Sequence, residues 1–189
     1  MLEGTARLAP HRDRVGLTVC LIGPECTGKT TLAGRLATHF DAPWVPEFAR
    51  EYALRAGRAL TVDDVIPIAT GEMALLDTAA PGGLRILDTD LVSTVVYSLY
   101  YYGACPEWIE REAASRRADL YLLLDVDVPW SVDAVRDSED ARADLYAAFV
   151  SALTAIEARV VSINGSWEER FAGAVREMSH SLEQSQAAM

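Results

Sequence analysis

The chain has 189 residues, a net charge of −11, half of its residues hydrophobic and 8% aromatic, which suits one compact soluble domain with a full core. No apolar run reaches the roughly 18 to 20 residues that span a bilayer, and a nucleic-acid backbone is excluded as partner because it demands a broad basic face. A single nucleotide is not excluded, since local positive charge and backbone N–H groups suffice for it.

Residues 1–15 carry no apolar stretch of the signal-peptide kind and read as a flexible polar tail, so a cytoplasmic protein is expected, with one domain over 16–184. Cys20, Cys26 and Cys105 show no metal-ligand spacing and read as reduced thiols. Leu17 to Ile22 is a buried strand ending at Gly23, and a helix starts near Lys29 with Leu32, Leu36 and Phe40 inward. Pro43 to Val45 is a short second strand and Glu47 to Arg58 a helix. Thr61 and Asp64 form a capping box for a helix reaching about Ala79, in which Pro67 implies a kink or a late start. Leu84 to Leu87 is a third strand closed by Asp88; Leu91 to Tyr102 is an apolar, tyrosine-rich helix, and Pro106 opens another. Leu120 to Leu124 is a fourth strand, followed by a carboxylate-rich loop over Asp125 to Asp140. A helix then buries Leu145, Phe149, Leu153 and Ile156, and Val160 to Ile163 is the fifth strand. After the Asn164-Gly165 turn, Ser166 and Glu169 cap a last helix with Phe171, Val175, Met178 and Leu182 inward, fraying from Ser185. Strands alternating with helices predict a three-layer α/β/α domain with a five-stranded parallel sheet, whose ligands bind beyond the carboxyl ends of the strands.

Gly23-Pro24-Glu25-Cys26-Thr27-Gly28-Lys29-Thr30 satisfies the P-loop pattern G-x-x-x-x-G-K-[ST] in full, between a strand and a helix. Its glycines let backbone N–H groups converge on phosphate, Lys29 reaches the β- and γ-phosphates of ATP, and the Thr30 hydroxyl ligates Mg²⁺. Lys29 is the only lysine among the 17 basic residues, all others being arginine. A compact ammonium among phosphate oxygens is the one role arginine cannot fill. Asp88, an acid closing an apolar strand, has the form of a second Mg²⁺ ligand. Asp90 either shares that task or caps the helix at Leu91, capping being the commoner role.

Glu47, Arg50 and Glu51 follow the second strand. They are either an acid taking a substrate hydroxyl proton, with its neighbours, or a solvated helix face carrying an ion pair. Arg136, in the loop after the fourth strand, either closes over the phosphates as part of a lid or pairs with Asp133, Asp137, Glu139 and Asp140; Arg142 is its rival. Trp130 stacks on a ring or packs the loop down. Tyr97 and Tyr101 share one helix face and read as core, with room for one tyrosine of this helix to border a ring-shaped substrate. Cys26 reads as small filler.

Four blocks together resemble the ribosylnicotinamide kinase domain of NadR-type proteins. They are Gly23 to Leu32, then Glu47-Phe48-Ala49-Arg50-Glu51-Tyr52, then Leu87-Asp88-Thr89-Asp90 with Thr94, and Pro129-Trp130-Ser131-Val132-Asp133-Ala134-Val135-Arg136. The resemblance covers about Leu17 to Val175. It implies a P-loop fold of the nucleoside-monophosphate-kinase type that transfers phosphate from ATP, with Mg²⁺, to the ribose 5′-hydroxyl of nicotinamide riboside. It further implies that residues Gly23, Glu25, Cys26, Thr27, Gly28, Lys29, Thr30 and Thr31 hold ATP, with Asn164 at the adenine. Glu47, Arg50, Asp90 and Trp130 then face the substrate, and Lys29, Glu47, Asp88 and Arg136 carry the chemistry. The family usually has Ser at Cys26 and Gly at Ala134. With a short tail ahead of the P-loop, a stand-alone kinase acting on a small molecule is expected. Kinases of other nucleosides and a nucleotide-dependent regulatory ATPase remain the alternatives.

Overall fold

A computed structural model describes residues 16–78, 82–128 and 141–187. The 1–15 tail, the residues 129–140 that hold most of the expected lid, and residues 188–189 lie outside them.

Five strands form one parallel sheet in the order β2-β3-β1-β4-β5, with β1 Gly16–Ile22, β2 Trp44–Val45, β3 Gly83–Asp88, β4 Leu120–Leu124 and β5 Val160–Ile163. Among the described residues seven α-helices flank it: α1 Lys29–Phe40, α2 Phe48–Ala56, α3 Val65–Thr78, α4 Leu91–Tyr102, α5 Glu107–Ser115, α6 Ala141–Ala155 and α7 Trp167–Ala187. Alternation along β1 divides the core. Val19 and Leu21 pack with Leu32, Leu36 and Met178 of α1 and α7, whereas Cys20 and Ile22 pack with Val92, Val96 and Phe149 of α4 and α6. Strands apolar on both faces are what a sheet covered on both sides requires, so the three-layer expectation holds.

Most expected boundaries fall within a residue or two of the observed ones. The Thr61–Asp64 capping box is present but opens a single 3₁₀ turn, Val62–Asp64, before α3 begins at Val65. That late start places Pro67 in the first helical turn, where its missing N–H costs nothing. The Ser166–Glu169 box forms as expected, with both Ser166 N and Oγ donating to Glu169 Oε2. The last helix departs from expectation by continuing to Ala187. Central β1 lies between β3 and β4, so the loop after Ile22 enters the crevice where the sheet's connections change direction, the usual place for a ligand in this class of sheet.

Candidate active site

The loop from Gly23 to Gly28 is curled around the ammonium of Lys29. Its Nζ donates to Gly23 O and Pro24 O, both at 2.8 Å, with the residue 7% exposed. Thr27 Oγ1 tightens the same turn by donating to Pro24 O at 2.9 Å. Both motif glycines are needed sterically. Gly23 has φ +137°, and a Cβ there would stand 2.8 Å from Leu124 O; Gly28 has φ +86°, and a Cβ there would stand 2.3 Å from the Trp167 ring. α1 begins with no side-chain cap and no acid in its first turn, so its first N–H groups and positive dipole end remain for an anion.

Beside this loop stands the end of β3. Thr30 Oγ1 donates to Asp88 Oδ2 at 2.6 Å, and Asp88 is 1% exposed. Asp88 Oδ1 is buried and meets no hydrogen-bond partner among the described residues. Burial pushes this carboxyl above its ordinary range, opposed by the Thr30 hydrogen bond and the nearby Lys29 charge. A buried, unsatisfied carboxylate oxygen next to a threonine hydroxyl fits a hydrated divalent cation. Among the described residues no group of three His, Cys, Asp or Glu side chains could hold a metal ion, so such a cation would draw its remaining ligands from phosphate and water, as Mg²⁺ does.

Asp90 serves the fold. Its Oδ1 accepts from Val92 N at 3.0 Å, capping α4, and its Oδ2 accepts from the Tyr121 hydroxyl at 2.6 Å, with the residue 4% exposed. The geometry takes the capping side of the alternative, and Asp90 does not line the neighbouring cavity. Between the two aspartates, Thr89 holds φ +74°. Left-handed backbone is costly for a β-branched residue and gathers at functional sites; nothing in the sequence signals it.

That cavity has a volume of about 370 Å³, within the range of small-molecule sites. Glu25 reaches it from the P-loop, Glu47 and Arg50 from the start of α2, Thr89 from the end of β3, and Glu72 from α3. Glu47 and Arg50 satisfy both readings offered for them, since they form an ion pair at 3.8 Å and also line the cavity. Glu51 faces away and pairs with Arg55 at 3.7 Å, both exposed.

A family profile described as an AAA domain matches residues 18–170. The chain belongs to this family. The AAA-domain chain is 30% identical over 125 residues to the trifunctional NAD biosynthesis/regulator protein NadR of Salmonella typhimurium, a match covering 63% of this chain and 30% of that protein. It is likewise 30% identical over 145 residues to thymidylate kinase of Xanthomonas euvesicatoria, covering 67% of this chain and 63% of the kinase. The crystal structure of NadR protein in complex with NR superposes with a TM-score of 0.73 at 26% identity, over 88% of this chain and 51% of that one. NadR protein in complex with NAD and AMP-PNP superposes at 0.70, again at 26% identity, over 88% of this chain and 49% of that one. The chain therefore spans about half or less of the NadR proteins it matches.

In this AAA domain the far side of the P-loop is organised by a residue that sequence reasoning missed. Arg170 is 1% exposed in the first turn of α7. Its guanidinium donates to Thr27 O at 3.0 Å, Asp125 O at 3.0 Å and Gly165 O at 2.9 Å, and pairs with Asp127. One planar fork thus ties the phosphate loop, the end of β4 and the turn after β5 together, a task suited to arginine's fixed donor geometry. An arginine on an amphipathic helix ordinarily reads as surface, which is why the pattern hid it. Trp167, seated on Gly28, and exposed Asn164 stand beside this hub.

Tyr97, Tyr101 and Tyr102, expected mostly as core, all line the cavity. Trp130 and Arg136 lie outside the described residues. Arg142 is 5% exposed and donates to Val128 O at 3.2 Å, with Nε and Nη2 unpartnered among the described residues. No described helix is long and apolar enough to cross a membrane.

Proposed function

We propose that this protein is an ATP-dependent kinase that phosphorylates the ribose 5′-hydroxyl of nicotinamide riboside, giving nicotinamide mononucleotide and ADP. The observation that carries the reading is the junction of the curled phosphate loop with the cavity of about 370 Å³, made by Glu25 and Glu47. The likeness to NadR solved with NR, and with NAD and AMP-PNP, supports both ligands.

On this reading residues Gly23 to Thr31 cradle the triphosphate, with Asn164 at the adenine. Lys29 exchanges its two loop carbonyls for β- and γ-phosphate oxygens. Thr30 and Asp88 would hold Mg²⁺, which would supply positive charge against the negative charge of the phosphates. Arg50 and Glu47 place the ribose. Glu47 takes the proton of the 5′-hydroxyl as its oxygen bonds to the γ-phosphorus; the bond from that phosphorus to the β–γ bridging oxygen breaks, and ADP carries the electron pair away. For Arg136 and Trp130 the reading keeps the roles that the resemblance implies, transition-state charge for the one and substrate recognition for the other. Asp90 acts on the substrate indirectly, by holding the start of α4.

The test is ADP release from Mg-ATP in the presence of a panel of acceptors that includes nicotinamide riboside, thymidine and thymidylate, the last chosen because of the thymidylate kinase relative. Stimulation by nicotinamide riboside is expected. Stimulation by another member of the panel would change the acceptor, and none by any acceptor would overturn the kinase reading in favour of an ATPase working through a partner. Glu47→Gln should reduce kcat by roughly 10²-fold or more if Glu47 is the base.

A further inference from the structure

One ionisable group of the cavity has no task in that mechanism. Glu72, midway along α3, is 5% exposed and lines the cavity. Its Oε2 accepts from Thr94 Oγ1 at 3.1 Å, and among the described residues no side chain donates to Oε1 and no cation pairs with it. Its charged neighbours are acids: Asp90 at the cap of α4 and Glu47 at the start of α2. Burial above all, with Asp90 next and Thr94 opposing, moves its carboxyl up to about 8.

A carboxyl this far from water is costly in its charged form unless a cation joins it. The rest of the cavity supplies the complement to a cation. Tyr97 and Tyr101 line it with rings stacked 9° from parallel and centroids 6.1 Å apart, and tyrosine faces attract cations most strongly where water is excluded. Of the described charged residues lining it, Glu25, Glu47 and Glu72 are acids and Arg50 is the one base, already paired with Glu47. A neutral ring would leave Glu72 uncompensated. A ring carrying a positive charge turns the ionised carboxylate into the paired form and places itself against aromatic surface.

Resting on the nucleoside-kinase reading, we infer that Glu72 is a specificity-determining residue that selects nucleosides whose base carries a positive charge, its carboxylate pairing with the ring cation in the cavity. The class it admits is the N-ribosyl pyridinium cation. The classes it rejects are ribosides of neutral rings and of pyridiniums bearing their own carboxylate.

The experiment compares nicotinamide riboside, a ring cation, with its dihydro form, which keeps the ribose and carboxamide but has a neutral ring, and with nicotinic acid riboside, whose carboxylate meets Glu72. For each, kcat/KM and the calorimetric Kd without ATP are measured in the wild type, Glu72→Gln and Glu72→Asp. The wild type should favour the cation over both analogues, and Glu72→Gln should lose roughly tenfold or more of that preference, the size expected for a hydrogen-bonded charge. Glu72→Asp, which keeps the charge, should retain most of it. An unchanged preference in Glu72→Gln, by turnover or by Kd, would overturn the inference and leave the kinase reading intact. Binding of the cation that depends on Glu72 without any phosphate transfer would do the reverse.

Discussion

Replacing Arg170 by methionine removes the guanidinium that joins three loops while keeping much of its stem. The wild-type group makes three hydrogen bonds to carbonyls at 2.9 to 3.0 Å and one ion pair, in a residue 1% exposed. Breaking a buried pair by deleting one partner costs about 3 to 5 kcal/mol. Asp127 is 37% exposed and also accepts from Gly165 N at 2.6 Å, so it retains water and a donor, which puts the cost at the lower end, about 3 kcal/mol. For a chain of this length that corresponds to a fall in Tm of roughly 6 to 12 °C. Because Thr27 and Gly165 lose a common anchor, the KM for ATP should rise more than the KM for the acceptor. Urea unfolding followed by circular dichroism, paired with steady-state kinetics, measures both. A stability loss under about 1 kcal/mol with ATP affinity unchanged would refute the hub argument. Arg170→Lys should not rescue the variant, because an ammonium cannot reproduce the planar fork.

Lys29→Ala should abolish turnover while leaving the circular dichroism spectrum unchanged; an active variant would remove the ammonium from the chemistry. Gly71→Ala should lose about 1 to 3 kcal/mol through overpacking, because its new Cβ would stand 2.0 Å from the Phe48 ring, and denaturation midpoints would register it. The stability of the wild type should also depend on pH through Glu72. The folded chain raises this carboxyl from 4.5 to about 8, so it binds more protons than the unfolded chain in that interval. The associated stability is fully present below about pH 4.5 and is lost as pH rises through 8, by about 5 kcal/mol at the outside. Asp90, raised to about 6 by burial, acts in the same direction. Glu72→Gln should flatten the profile between pH 5 and 8, and an equally steep profile in that variant would show that Glu72 does not set it.

The parts of the site that could be read before folding were those written in adjacent residues. The P-loop was legible because its eight positions all serve one concavity, and its chemistry survives any change in what surrounds it. Asp88 was legible because an acid ending an apolar strand must emerge where the sheet exposes its ligand edge. The second block was legible in location only: Glu47 and Arg50 form the ion pair of a plain helix face and line a cavity as well. Glu72 was silent, since a glutamate on a helix is ordinarily solvated, and nothing local shows that it will be buried against Thr94 in a cavity that the α4 tyrosines also line. The capping role of Asp90 was readable from its position before Leu91, but its bond to Tyr121 was not, because 31 residues separate them.

Local pattern by itself determined the order of strands and helices, the covered sheet and the place of the phosphate loop, because hydrophobic period, capping boxes and glycine requirements act over a few residues. The tertiary fold decided the rest. It brought α2, α3 and α4 together to make a cavity, buried one glutamate among acids and tyrosines, and sank Arg170 beneath three loops 45 to 143 residues away or close at hand. Burial is what changes a charged side chain from solvated surface into a costly group that must be matched, and burial is a property of the packed chain rather than of any stretch of it.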